Sequence, residues 1–138
     1  MKTLAFTIAF TLISILGFSQ DTKGNTITVT IDQIKNNKGH INLGLHTSET
    51  FMRSEAIQKI STEIKDGKIT PTFTNVTPGK YAVLVLHDEN DNGQMDFQPN
   101  GMPIETYGIS NNPALMGPPQ FRDGEFEVAD KDLEFAIN

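Results

Sequence analysis

Apolar residues recur at every second position through most of this chain, a period that specifies strands rather than amphipathic helices. Ile27, Val29 and Ile31 alternate with threonines, and Ile41, Leu43 and Leu45 alternate with Asn42 and Gly44. Each run marks a strand with one buried face. Residues 35–39, Lys-Asn-Asn-Lys-Gly, form a turn between the two runs. Ile60, Thr62 and Ile64 lead into Asp66-Gly67, a two-residue hairpin signal, and then into a strand over residues 69–76. Past the turn Thr77-Pro78-Gly79, residues 80–87 are largely apolar on both faces. Such a run suits a central strand covered on its inner side and partly on its outer side. Residues 125–128 and 133–137 supply two weaker strands.

Two segments resist this period. Residues 48–58 carry Phe51, Met52, Ala56 and Ile57, which fit a helical turn or a loop laid over one edge. Residues 97–122 hold five prolines and three glycines and are read as irregular throughout. Ile104, Tyr107, Ile109, Leu115, Met116 and Phe121 give that stretch anchors for packing, and Met102, Tyr107, Leu115, Met116 and Phe121 would form a binding patch if several are exposed together. Six or seven short strands with regular turns point to an all-β fold, a single antiparallel β-sandwich of immunoglobulin-like or transthyretin-like type. A small barrel is the alternative. With neither cysteine nor tryptophan, the chain is not an antibody-type domain.

The first 19 residues read as a signal peptide: Lys2, an apolar run over residues 4–16, then Gly17-Phe18-Ser19 before Gln20. The run is too short for a membrane span of roughly 20 residues. Residues 20–138 then form one exported domain, periplasmic or secreted. Losing Lys2 takes the net charge from −6 to −7. An acidic surface without clustered Lys and Arg disfavours nucleic acid and anionic membranes. Partners are instead cations, neutral molecules or proteins. The absence of cysteine removes disulfides, thiolate nucleophiles and thiolate metal sites.

The strongest chemical bias lies at the end of the central strand, in His87-Asp88-Glu89-Asn90-Asp91-Asn92-Gly93-Gln94-Met95-Asp96. Asp88, Asn90 and Asn92 stand at i, i+2 and i+4, followed by Gly93 and Asp96. Hard cations such as Ca²⁺ take six to eight oxygens, and a curled loop aims alternate side chains at one centre. Asp88, Asn90, Asn92 and Asp96 would supply side-chain oxygens and Gln94 a backbone carbonyl. The full helix–loop–helix pattern is broken: Pro99 occupies the position of its bidentate glutamate, and the flanks are not helical. The remaining ligand would come from Glu89, Asp91 or the more distant Glu105. An oxygen-rich set argues against zinc or copper. The same residues also make good turns without any ion.

Three stretches together carry a family resemblance: Asn75-Val76-Thr77-Pro78-Gly79-Lys80-Tyr81-Ala82-Val83, the acidic segment of residues 87–96, and Gly101-Met102-Pro103-Ile104-Glu105-Thr106-Tyr107-Gly108-Ile109-Ser110-Asn111-Asn112. The chain resembles the DUF2141 family of exported bacterial proteins. The resemblance implies a small β-sandwich without established activity, and it associates the acidic loop with the Tyr107–Asn112 segment. The Phe18-Ser19-Gln20 end of the leader is similar to leaders of Bacteroidetes.

Catalytic signals are weak. His40 and His46 share strand parity and would lie about 20 Å apart at roughly 3.3 Å per residue, too far to hold one ion. His87 is placed to orient Asp88 or Asp96, or to sit as a partly buried strand-end histidine. Ser110 lacks the second glycine of a nucleophile elbow. The chain ends Phe135-Ala136-Ile137-Asn138 and has only Arg53 and Arg122, unlike the hydrolase among transthyretin-like sandwiches. The expectation is a non-enzymatic protein with a Ca²⁺-binding acidic loop. Two alternatives stand beside it: a ligand- or protein-binding surface module using residues 97–122, and a weak hydrolase using Asp88, Asp96 and His87.

Overall fold

A computed structural model describes residues 23–138; the expected leader lies outside the described residues. The chain forms β1 (Asn25–Ile31), β2 (His40–His46), β3 (Gln58–Glu63), β4 (Thr72–Val76), β5 (Gly79–Asp88), β6 (Tyr107–Ile109), the single turn α1 (Phe121–Gly124), β7 (Phe126–Val128) and β8 (Leu133–Ile137). One sheet runs β4-β1-β8 and the other β3-β2-β5-β6, with β7 paired to the start of β5. The two face each other as a β-sandwich, which is the expected all-β fold.

Alternation decides which side of each strand is buried. Ile27, Val29 and Ile31 of β1 meet Ile41, Leu43 and Leu45 of β2 and Tyr81, Val83 and Val85 of β5 in one hydrophobic cluster. Ile64, Ile69, Phe73, Val76, Val128 and Ile137 complete it. Full burial of such side chains contributes about 1.5–3 kcal/mol each. The clean period of β1 and β2 follows from having one face on this core. β5 is apolar on both faces because its outer residues Ala82 and Leu84 carry a second cluster with Phe51, Ile109, Leu115 and Phe121. Residues 48–53 form turns that lay Phe51 over that outer face, edge-on to His46 and Phe121.

Two features depart from the sequence-based expectation. β8 pairs with β1 in parallel, Ile27 opposite Leu133 through Ile31 opposite Ile137, so the smaller sheet is mixed rather than antiparallel. The Asp66-Gly67 turn forms as read, with both φ angles positive, but only Lys65 and Lys68 bridge beside it. The chain then diverges, β3 staying on β2 while β4 joins β1 across the sandwich. Ile69 reaches β1 only as an isolated bridge to Ile31.

The stretch 97–122 is not irregular throughout, since it contains β6 and leads into α1. Ser110 fixes its return: buried, it accepts the Val83 N–H at 3.0 Å and donates to the Gly124 carbonyl. Asn112 reaches β8, donating to the Ala136 carbonyl at 3.0 Å and accepting from Asn138 N at 2.8 Å. One side-chain amide thereby serves two polar groups at the end of that strand, as a neighbouring strand would.

Candidate metal centre

The acidic loop hangs where β5 ends against the start of β2. The ladder places His40 opposite Asp88 and Ile41 opposite His87. Gly39 makes the entry possible. Its φ is +62°, and a Cβ there would lie 1.9 Å from the Asp88 carbonyl oxygen, so only glycine fits the crossing. His87 points inward with the parity of Val83 and Val85 and is 4 % exposed. Its Nε2 meets the Lys38 carbonyl at 2.9 Å, which assigns the proton to that nitrogen. The expectation that His87 orients Asp88 or Asp96 is therefore corrected: the period of the strand turns it away from the loop. It is the strand-end histidine of the blander reading.

Asp88 is the hub. Its carboxylate is 2 % exposed, and Oδ1 accepts the Asn92 N–H at 3.1 Å. Oδ2 accepts the Gly93 N–H at 2.7 Å and the Asn42 amide at 3.2 Å. Charge-assisted bonds of this kind are the stronger class. They curl the loop, helped by left-handed backbone at Asp91 (φ 58°) and Gly93 (φ 76°). Two side-chain turns follow: Asn90 Oδ1 accepts from Asn92 N at 3.1 Å, and Asn92 Oδ1 from Gln94 N at 2.8 Å. Because both amide oxygens face backbone donors, both amide nitrogens face inward. They donate to one atom, Asp96 Oδ2, at 2.7 Å from Asn90 and 2.9 Å from Asn92.

Glu105 closes the ring from the far side of the long loop. It is 7 % exposed; Oε1 accepts Glu89 N at 3.0 Å and Oε2 accepts Asp96 N at 3.2 Å. The structure thus brings Asp88, Asn90, Asn92, Asp96 and Glu105 into one hydrogen-bonded assembly. Gln94 joins through its N–H. Asp88 and Glu105 use both oxygens on donors within the protein. Among the described residues, the second oxygen of Asp96 and the carboxylate of Glu89 take no hydrogen bond. Among the described residues, no three His, Asp or Glu side chains form a ready-made metal cage. An ion here would require the Asn90 and Asn92 amides to turn their oxygens inward, exchanging two bonds to Asp96 and the two from Asn92 N and Gln94 N for bonds to the cation.

The sequence reading missed one partner. His40 Nδ1 lies 2.6 Å from Asp91 Oδ1, tying the loop tip to β2. This bond to Asp91 holds the His40 imidazole above its ordinary pKa; desolvation opposes it, and the charges of Asp91, Glu63 and Asp88 reinforce it. Register was the only available signal, since pairing His40 with Asp88 also brings Asp91 near. His46, at the other end of β2, is pushed below the ordinary value by burial, against the effect of its contact with Thr50. The two histidines sit at opposite ends of the strand, as expected.

An open hollow of about 340 Å³ lies against the loop, lined by His40, Asn42, Ser61, Asp88, Asp91 and Gly93. A larger groove of about 460 Å³ runs along β3 beside residues 65–71. It gathers Glu63, Lys65 and Lys68 but none of the acidic loop, so of the two only the smaller hollow borders that loop.

No described helix is long and apolar enough to cross a membrane. Neither a curated protein nor a solved structure matches the chain. A family model described as an uncharacterized protein conserved in bacteria matches residues 29–136, spanning both sheets, the acidic loop and the long return. The chain belongs to the DUF2141 family.

Proposed function

We propose that this protein is an exported, non-enzymatic β-sandwich module whose acidic loop takes up one Ca²⁺ ion and is stiffened by it. The observation that carries the reading is the convergence of Asn90 and Asn92 on Asp96 Oδ2, with the second Asp96 oxygen and Glu89 unengaged. Two neutral amides and the Asp96 carboxylate around one point form an all-oxygen donor set once the amides turn, and such a set suits a hard cation. Asp88 and Glu105 would act as the frame, because their oxygens already hold backbone N–H groups. In this reading the last ligand is Glu89, Asp91 or water. What supports a non-enzymatic reading is that the groups named for hydrolysis have other partners: Asp88 takes three donors, and His87 faces Lys38.

Mg²⁺ demands near-ideal octahedral geometry and gives up its waters reluctantly, so this irregular set should discriminate against it. Calorimetric titration of the wild type and of Asp96→Ala with each ion tests the reading. Heat with Ca²⁺ that exceeds the Mg²⁺ response and vanishes in the variant is expected. A Ca²⁺ response that survives Asp96→Ala would remove the site from this loop.

A further inference from the structure

The hydrogen-bonding parity of the larger sheet shows which of its edges is left open. In an antiparallel ladder both backbone polar groups of one residue face one neighbouring strand, and those of the next residue face the other. His87 N donates to the Thr106 carbonyl and the Val83 carbonyl accepts Ser110 N, so odd-numbered β5 residues face β6. Leu84, Leu86 and Asp88 therefore face β2, where they meet Gly44, Asn42 and His40. Ile41 and Leu43 in turn face β3 and meet Thr62 and Ile60. Lys59, Ser61 and Glu63 are left with their backbone N–H and C=O groups turned outward. Among the described residues, these groups meet only the Thr62 hydroxyl, 3.3 Å from the Glu63 carbonyl. Other edges are better covered. The Gln58 amide donates to the Thr74 carbonyl of β4 at 3.0 Å, Asn112 serves β8, and β6 has only three residues.

Lys59, Ser61 and Glu63 are exposed, and strand parity puts their side chains on one face. A lysine on an edge strand usually blocks association, because a strand arriving there must supply an acceptor for it. β3 supplies its own. With a second β3 laid antiparallel on the open edge, Ser61 opposite Ser61, each outward N–H meets an outward carbonyl. Lys59 then faces Glu63 of the second copy, and Glu63 faces Lys59 of the second copy. The neighbouring registers that keep this parity set Lys59 against Lys65, or Glu63 against Ile57, and lose both charge pairs. Lys59 already meets Glu55 at 3.1 Å, but an ammonium has three donors and the Glu55 side chain is 86 % exposed. The open groove bordered by Ser61, Thr62 and Glu63 lies beside this edge. We infer that β3 is a self-pairing edge through which two copies of this chain join their larger sheets about a two-fold axis at Ser61. An isologous contact of this kind closes at two copies. Exposed ion pairs add little affinity, so backbone bonds hold the pair and charge selects the register. The contact is small, and association is weak and concentration-dependent.

Sedimentation equilibrium and amide hydrogen exchange, from micromolar to millimolar protein in EDTA, test this pairing without calcium. Expected is a monomer–dimer equilibrium. As concentration rises, exchange at the Lys59, Ser61 and Glu63 amides should slow far more than at Ile60 and Thr62, which already face β2. Lys59→Glu and Glu63→Lys should each weaken pairing about tenfold or more, by setting like charges opposite each other at both ends of the contact. Both positions are exposed, so the melting temperature of the dilute variants should stay at the wild-type value. Mixing the two variants should restore pairing, because each supplies the charge the other lacks. The two substitutions together in one chain should restore it as well. A chain that stays monomeric at millimolar concentration, leaving the edge to a strand of another protein, would overturn the inference. So would single variants that pair as well as the wild type, a mixture that pairs no better than its components, or growth beyond a dimer.

Discussion

Replacing Asp88 with alanine isolates the scaffold role of the acidic loop from any ion it takes. The side chain accepts Asn92 N, Gly93 N and the Asn42 amide while 2 % exposed. Asn92 N retains Asn90 Oδ1 at 3.1 Å, so its loss is partial. Gly93 N has no second acceptor among the described residues. Hydrogen bonds to a charged group contribute roughly 1.5–3 kcal/mol each. Two such bonds at the lower bound, because water can enter this exposed turn, give a cost of about 3 kcal/mol. With a urea m-value of about 2 kcal/mol/M for a domain of this size, the midpoint should fall by about 1.5 M. The assay is urea unfolding in EDTA, with Asp91→Ala alongside, whose exposed carboxylate should matter far less. A shift under about 0.5 M for Asp88→Ala would refute the hub. So would a deficit that appears only on adding Ca²⁺, which then stabilises the wild type but not the variant, because the carboxylate would then be a metal ligand first.

Three further outcomes follow from the same geometry. Gly93→Ala, with open space around its Cβ, should cost only the left-handed backbone term of about 1–2 kcal/mol, whereas Gly39→Ala should cost clearly more because its Cβ meets the Asp88 carbonyl; equal urea midpoints would contradict this. In an NMR titration His40 should lose its proton above pH 6.5 and His46 below it. The His40 contribution to stability is then full below 6.5 and lost as pH rises through its raised pKa; the His46 contribution is full above 6.5 and falls as the unfolded chain takes up the proton in acid. A His40 midpoint below 6.5 would break the tie to Asp91. Glu105→Ala should cost about 1–3 kcal/mol and speed hydrogen exchange at Glu89 and Asp96 while leaving Val29 protected; unchanged exchange at those two amides would deny the clamp.

Much of the sandwich was legible because one physical signal, alternation against a shared core, decides β1 and β2 residue by residue. The two-sided apolar run of β5 even announced the outer cluster. What was not legible depends on contacts distant in sequence. β6 is three residues long and exists only as a partner of Leu84–Leu86, so no local pattern marks it. The parallel placement of β8 reflects the crossover of the chain between sheets, which Leu133, Phe135 and Ile137 satisfy equally well in either direction. At the loop, spacing singled out Asp88, Asn90, Asn92 and Asp96, and all four do converge. Their division of labour was hidden: Asp88 and Glu105 spend their oxygens on backbone donors, and only the fold reveals which N–H groups lie within reach. His40 escaped notice because its partner, Asp91, is 51 residues away in sequence.

Calcium titration followed by thermal unfolding tests the central proposal most directly. Calcium sites of extracellular modules have Kd values of roughly 0.1–1 mM. Taking Kd at about 1 mM, 10 mM Ca²⁺ should stabilise the fold by about 1.4 kcal/mol, raising Tm by about 5 °C. Calorimetry should show one ion per chain, and Asp96→Ala should abolish both signals. An unmoved Tm at 10 mM Ca²⁺ together with a flat titration of the wild type would contradict the proposal and leave the loop a turn held by its own hydrogen bonds.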